Sequence, residues 1–166
     1  MVGLLVETWP ESWHQSRMFR VLSLGGYVAF NLPRAVTGLG ALLLVGIAAM
    51  HIYVWTSQDA LPPYFQAYAA MVIVLCLMFA GSLGYARNPR VAQAGWYLGS
   101  LLAFAVLAVD VGTRMASLPG LVAVTGRWDF APATLTLAFA GAFIALHGSV
   151  LLGINVAYPR RQHWED

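Results

Sequence analysis

Apolar residues fill four long runs of this chain, and polar residues gather between them. The runs cover about Val36 to Thr56, Tyr64 to Ala86, Val91 to Thr113 and Ala131 to Ala157. Each holds about 20 residues or more, so a helix rising about 1.5 Å per residue would cross about 30 Å of hydrocarbon. Helix is the required conformation, because an open sheet edge would leave backbone groups unpaired in lipid. The pattern therefore predicts an all-α fold: an integral membrane bundle of four helices in up-down order.

The punctuation between the runs agrees with this reading. Asn88-Pro89 follows the second run, with Asn88 suited to cap the next helix and Pro89 to its first position. Pro62-Pro63 opens the second run in the same way. Asp129 is expected to cap the fourth, and Pro132 is tolerated in its first turn. The short connection from Arg87 to Arg90 makes the second and third runs antiparallel neighbours. The longest loop, Arg114 to Phe130, holds Pro119, Gly120, Gly126 and Trp128 and can fold back over the mouth of the bundle.

Residues 10–33 break the pattern. They mix Trp13, Phe19, Leu22, Tyr27 and Phe30 with His14, Arg17 and Arg20, and their most apolar stretch is too short to span comfortably. An amphipathic helix lying on the cytoplasmic leaflet fits this composition, with a re-entrant segment as the alternative. Residues 1–35 are thus read as an interfacial segment, 36–157 as the bundle and 158–166 as a cytoplasmic tail. The start of the chain, with Glu7, Trp9, Pro10 and Glu11, lacks the chemistry of a signal peptide.

Composition sharpens the membrane assignment. Of 166 residues, 60% are hydrophobic and 10% charged, against about 25% charged in soluble domains. Such a chain cannot cover a water-facing surface, so the lipid bilayer is its first partner. The net charge of +2 comes from arginine alone, and the arginines sit at the ends of the apolar runs. That placement argues against a nucleic-acid surface, which would cluster them on one soluble face. Arg17, Arg20, Arg34, Arg87, Arg90, Arg160 and Arg161 fall on one side of the predicted bundle, and Arg114 and Arg127 on the other. By the positive-inside rule, both termini are expected in the cytoplasm.

Ionisable residues within spans are costly and mark candidate sites. His51, Asp110 and His147 are the three here. His51 and Asp110 are expected at similar depth, roughly 6 to 8 Å below the extracytoplasmic edge by the helical rise. Together they could handle protons, bind a quinone, or hold haem or a metal with Asp110 behind the histidine. The plainer reading is a polar contact that locks helix packing, with Arg114 as a third partner. His147 lies deeper, roughly 16 Å from His51 in depth, so the two cannot ligate one iron. Met71, Met78 or another subunit are its candidate partners, and a hydrogen-bonded packing role is the plainer alternative.

The four histidines match no zinc pattern, and Cys76 stands alone within an apolar run. No phosphate loop and no nucleophile beside a base is present, which lowers the case for a hydrolase or an ATP-driven machine. Gly95, Gly99 and Ala103 recur every four residues on the third run. Such a stripe lets two backbones approach closely, either inside the bundle or against another chain. Tyr53, Trp55, Tyr64, Phe65 and Tyr68 surround the first outer loop, as an interfacial belt or as a mouth for an apolar ligand such as a quinone.

The segments Met50-His51-Ile52-Tyr53, Pro62-Pro63-Tyr64, Gly126-Arg127-Trp128-Asp129-Phe130 and Asn155 to Arg161 resemble small four-span membrane proteins of high-GC Gram-positive bacteria. The resemblance implies a bacterial plasma membrane and no particular activity. From its small size and the lack of a catalytic set, the chain is expected to be a non-catalytic subunit or accessory factor among other membrane protein subunits. A haem- or quinone-binding redox subunit is the rival expectation.

Overall fold

The computed structural model describes residues 32–58, 61–85, 88–117, 119–120 and 125–158. The described residues form four α-helices: α1 (Pro33–Ser57), α2 (Pro63–Gly84), α3 (Pro89–Met115) and α4 (Ala131–Leu151). All four are long and apolar enough to cross a membrane. The interfacial segment expected at 10–33 lies outside the described residues except for its last two, Leu32, which precedes α1, and Pro33, which begins it.

Two helices, α2 and α3, start at the prolines the sequence marks, whereas α1 starts at Pro33, ahead of the expected Val36 and inside the segment read as interfacial. Pro33, Pro63 and Pro89 occupy first positions, where a missing N–H costs nothing. The Asn88 side chain accepts a hydrogen bond from the Arg90 backbone N–H at 3.0 Å. The start of α4 differs from expectation. Asp129 does not cap it; its carboxylate lies 3.6 Å from Arg127 Nε at the exposed surface. Phe130 takes the cap position without a side-chain bond, and the Thr134 hydroxyl donates instead to the carbonyls of Trp128 and Phe130.

α4 also ends sooner than the apolar run suggests, at Leu151 rather than near Ala157. Gly153 adopts φ +76°, the left-handed geometry that ends helices because only glycine enters it without a Cβ penalty. The following backbone is held by Asn155, whose side-chain amide donates to the Ser149 hydroxyl at 2.7 Å. The Tyr158 N–H then donates to Thr37 Oγ1 at 2.8 Å and ties the end of this segment to the start of α1.

The helices contact in a ring, α1 with α2, α2 with α3, α3 with α4 and α4 with α1, and the α1–α2 interface is the largest. The centre is filled by Leu44 and Ile47 of α1, Val72 and Cys76 of α2, Trp96 and Val106 of α3 and Phe143 of α4, all shielded from the surroundings. Leu42, Val74, Leu77, Leu101 and Phe104 face outward and are exposed. Apolar side chains on both the inside and the outside are the signature of helices solvated by lipid.

Candidate functional site

Polar side chains inside the bundle fall into two groups, one at each end. Gly46 of α1 packs on the Phe139 ring of α4, which fixes a common level between the groups. His51 lies five residues beyond Gly46 in one direction. His147 lies eight residues from Phe139 toward the Thr37–Tyr158 end. The two histidines are therefore about 20 Å apart along the bundle, at about 1.5 Å per residue. A single iron cannot reach both, as the sequence suggests.

At the first end, His51 is buried on α1 and its Nδ1–H donates to the Ile47 carbonyl at 2.9 Å. A carbonyl can only accept, so the proton is on Nδ1 and a neutral ring presents a lone pair at Nε2. The His51 ring meets Tyr68 of α2 edge-on, with centroids 5.7 Å apart. Tyr68 in turn packs beside Phe65 and lies within electrostatic reach of Asp110 on α3. The ring that His51 meets on the neighbouring helix is therefore Tyr68. The His51 hydrogen bond goes to its own helix, while Asp110 has Arg114 one turn further along the same face of α3.

Arg114 is almost fully buried, at 3% exposure, although it ends an apolar helix. Its guanidinium lies 4.7 Å from the centre of the Trp128 ring, and Nη2 points to the Thr134 hydroxyl at 3.4 Å. Its backbone carbonyl accepts from the Gly126 N–H at 2.9 Å. Tyr64 reaches the same loop through its hydroxyl, which donates to the Pro119 carbonyl at 2.6 Å. The described parts of the α3–α4 loop contact the helix ends: Gly120 lies against Pro62, Pro119 accepts from Tyr64, and Gly126 and Trp128 meet Arg114. Tyr64 therefore serves as a loop tie as well as a belt residue, whereas Tyr53 and Trp55 stay exposed.

At the other end, His147 of α4 is buried against α3. Its Nδ1 is 2.6 Å from the Ser100 hydroxyl, and its ring stacks on Trp96 and meets Tyr97 edge-on. Met71 and Met78, the partners considered from sequence, point away from the bundle and are each 53% exposed. Their positions on α2 fall on the outward face, opposite Val72, Cys76 and Phe79, so neither can meet His147. The residue that sequence reasoning missed is Trp96. It is fully buried, stacks on Phe143 and His147, and donates from Nε1 to the Tyr158 carbonyl at 3.1 Å. Its ring fills the space beside Gly40, where a Cβ would lie 2.6 Å from it.

Gly95, Gly99 and Ala103 are all buried inside the bundle. A Cβ on Gly95 would collide with the Ser82 hydroxyl, and one on Gly99 would come within 3.0 Å of Phe143 and 3.4 Å of Leu44. The stripe is consumed by packing against α1, α2 and α4. Among the described residues, no group of three or more His, Cys, Asp or Glu side chains is placed to hold a metal ion. No family model, no curated protein and no solved structure matches this chain.

Proposed function

We propose that this is a multi-pass protein of a bacterial plasma membrane, an up-down bundle with both termini cytoplasmic. It acts there as a non-catalytic subunit or assembly factor of a larger membrane complex. The observation that carries this reading is the solid centre of the bundle. Leu44 and Ile47 of α1, Val72 of α2, Trp96 of α3 and Phe143 of α4 fill it from all four helices, between the two polar ends. A core packed this way supports no water-filled path from end to end, which weighs against a channel or small transporter. Its side chains are committed to holding the helices together, and its outer surface is almost wholly apolar.

Orientation rests on the arginine distribution. Reporter fusions after residues 60 and 122 are expected to read extracytoplasmic, and fusions after residue 88 and at the C-terminus cytoplasmic. An extracytoplasmic signal from the C-terminus would end the four-span topology. For the assembly role, a tagged chain at native expression is expected to leave the membrane in mild detergent as part of a larger complex. A stable solitary monomer would overturn that role while leaving the topology intact.

The second reading, a haem- or quinone-binding subunit, draws support from the tautomer of His51. A lone pair at Nε2 on a ring oriented through Nδ1 is what an iron ligand or a proton acceptor requires. Under it, the purified protein carries a Soret band or extractable quinone that His51→Ala removes. Asp110→Asn would weaken binding less, roughly 10- to 100-fold. A colourless, quinone-free protein rejects this reading.

A further inference from the structure

Residues 152–158 leave α4 and fasten the end of the bundle opposite the α3–α4 loop. Gly153 turns the backbone, and the Ile154 and Asn155 N–H groups both donate to the Ser149 carbonyl, at 2.9 and 3.2 Å. Ala157 is buried with the core side chains. At Tyr158 both backbone groups are engaged. Its N–H donates to Thr37 Oγ1 of α1 at 2.8 Å, and its carbonyl accepts from Trp96 Nε1 of α3 at 3.1 Å. α1 and α3 stand across the ring of helices from each other, so one residue beyond α4 ties two elements that are not neighbours. We propose that residues 152–158 form a latch that opens while the four helices stay folded, and that its opening releases Trp96 from its place against Gly40 and His147.

The links differ in strength. Each helix keeps a continuous ladder of backbone bonds and buries large side chains, whereas the latch is held by single hydrogen bonds and one buried alanine. A segment with few buried apolar contacts opens before the elements it rests on. Trp96 carries that opening inward. Once the Tyr158 carbonyl withdraws, the indole N–H is left inside the bundle without its acceptor, an arrangement that costs more than the bond itself contributed. Rotating the ring toward the opened end removes that cost. The ring now fills the notch at Gly40, where a Cβ would lie 2.6 Å away, and stacks on His147 with centroids 5.5 Å apart. Its departure therefore bares the notch and the face of the imidazole that Ser100 holds at 2.6 Å. The device goes beyond both functional readings above and uses neither His51 nor Arg114.

The test is hydrogen exchange followed by nuclear magnetic resonance on the full chain in lipid nanodiscs, with the Trp96 indole signal assigned by its loss in Trp96→Phe. In the unaltered chain, the Tyr158 amide and the Trp96 indole N–H are expected to share one protection factor within about threefold, at least about a hundredfold below that of the Val106 amide in the core of α3. Thr37→Val keeps the side-chain shape and removes the acceptor of the Tyr158 N–H. It is expected to lower both protection factors about tenfold and leave Val106 unchanged, and Thr37→Ser to restore them. A Trp96 indole as protected as Val106 means that the ring leaves only when the bundle unfolds, and overturns the latch. Faster exchange at Tyr158 alone in Thr37→Val also overturns it, since Trp96 would then not follow the segment. The first comparison needs no variant of Thr37 and stands even if Thr37→Val fails to fold.

Discussion

The two ends of the bundle solve the problem of polar groups in an apolar core differently. The Trp96–His147 end uses neutral partners: a hydroxyl on an imidazole, an indole N–H on a carbonyl, and a backbone N–H on Thr37. The Arg114 end keeps ionisable groups, Asp110 and Arg114, beside loop residues that supply a ring face to the guanidinium and an N–H to the Arg114 carbonyl. Neutral hydrogen bonds fasten helices at modest cost. Buried charges are expensive in lipid, so they persist where a partner or a cover offsets the cost. The first end therefore reads as a structural clasp, and the second as the place where chemistry or binding would reside.

The comparison breaks most visibly at Trp96. Trp96→Ala removes the ring that joins α1, α3 and α4 and the bond to Tyr158, and is expected to destabilise the bundle by about 3–5 kcal/mol. Reversible unfolding in mixed detergent measures it. A loss below about 1 kcal/mol would show that the clasp does not hold the fold. At the opposite end, Arg114→Gln leaves Asp110 without its charge partner and the loop without its cation–π contact. Because Asp110 is only partly buried, the expected loss is about 2 kcal/mol, below the roughly 3–5 kcal/mol of a fully buried pair. Limited proteolysis within the α3–α4 loop should accelerate in this variant and stay unchanged in Trp96→Ala.

Smaller effects separate the two helix starts. Asn88→Ala removes a cap bond and should cost about 1 kcal/mol in the same unfolding assay. Asp129→Ala should produce no measurable change, since among the described residues its partner is an exposed arginine at 3.6 Å. Equal effects would mean that Asp129 caps α4 after all.

Much of this could be read along the chain. Run length and the scarcity of charge determined four membrane-length helices, because lipid admits only internally bonded backbone. Proline positions determined where α2 and α3 begin, since the ring removes a donor that a first turn does not use; Pro33 does the same for α1, where the hydropathy pattern pointed to Val36. The cost of charge in lipid singled out His51, Asp110 and His147. The early end of α4 was written at Gly153, but an apolar run conceals it, because hydropathy does not report backbone handedness.

The partners of those polar residues were settled by the tertiary structure alone. His147 meets Ser100 and Trp96 rather than a methionine, and His51 bonds the carbonyl of its own helix and meets the Tyr68 ring. Sequence places a side chain at a depth and on a face of its own helix. Which neighbour fills the space opposite depends on how the helices rotate and how closely they approach, and here Gly40, Gly95 and Gly99 set that approach across interfaces no local pattern contains.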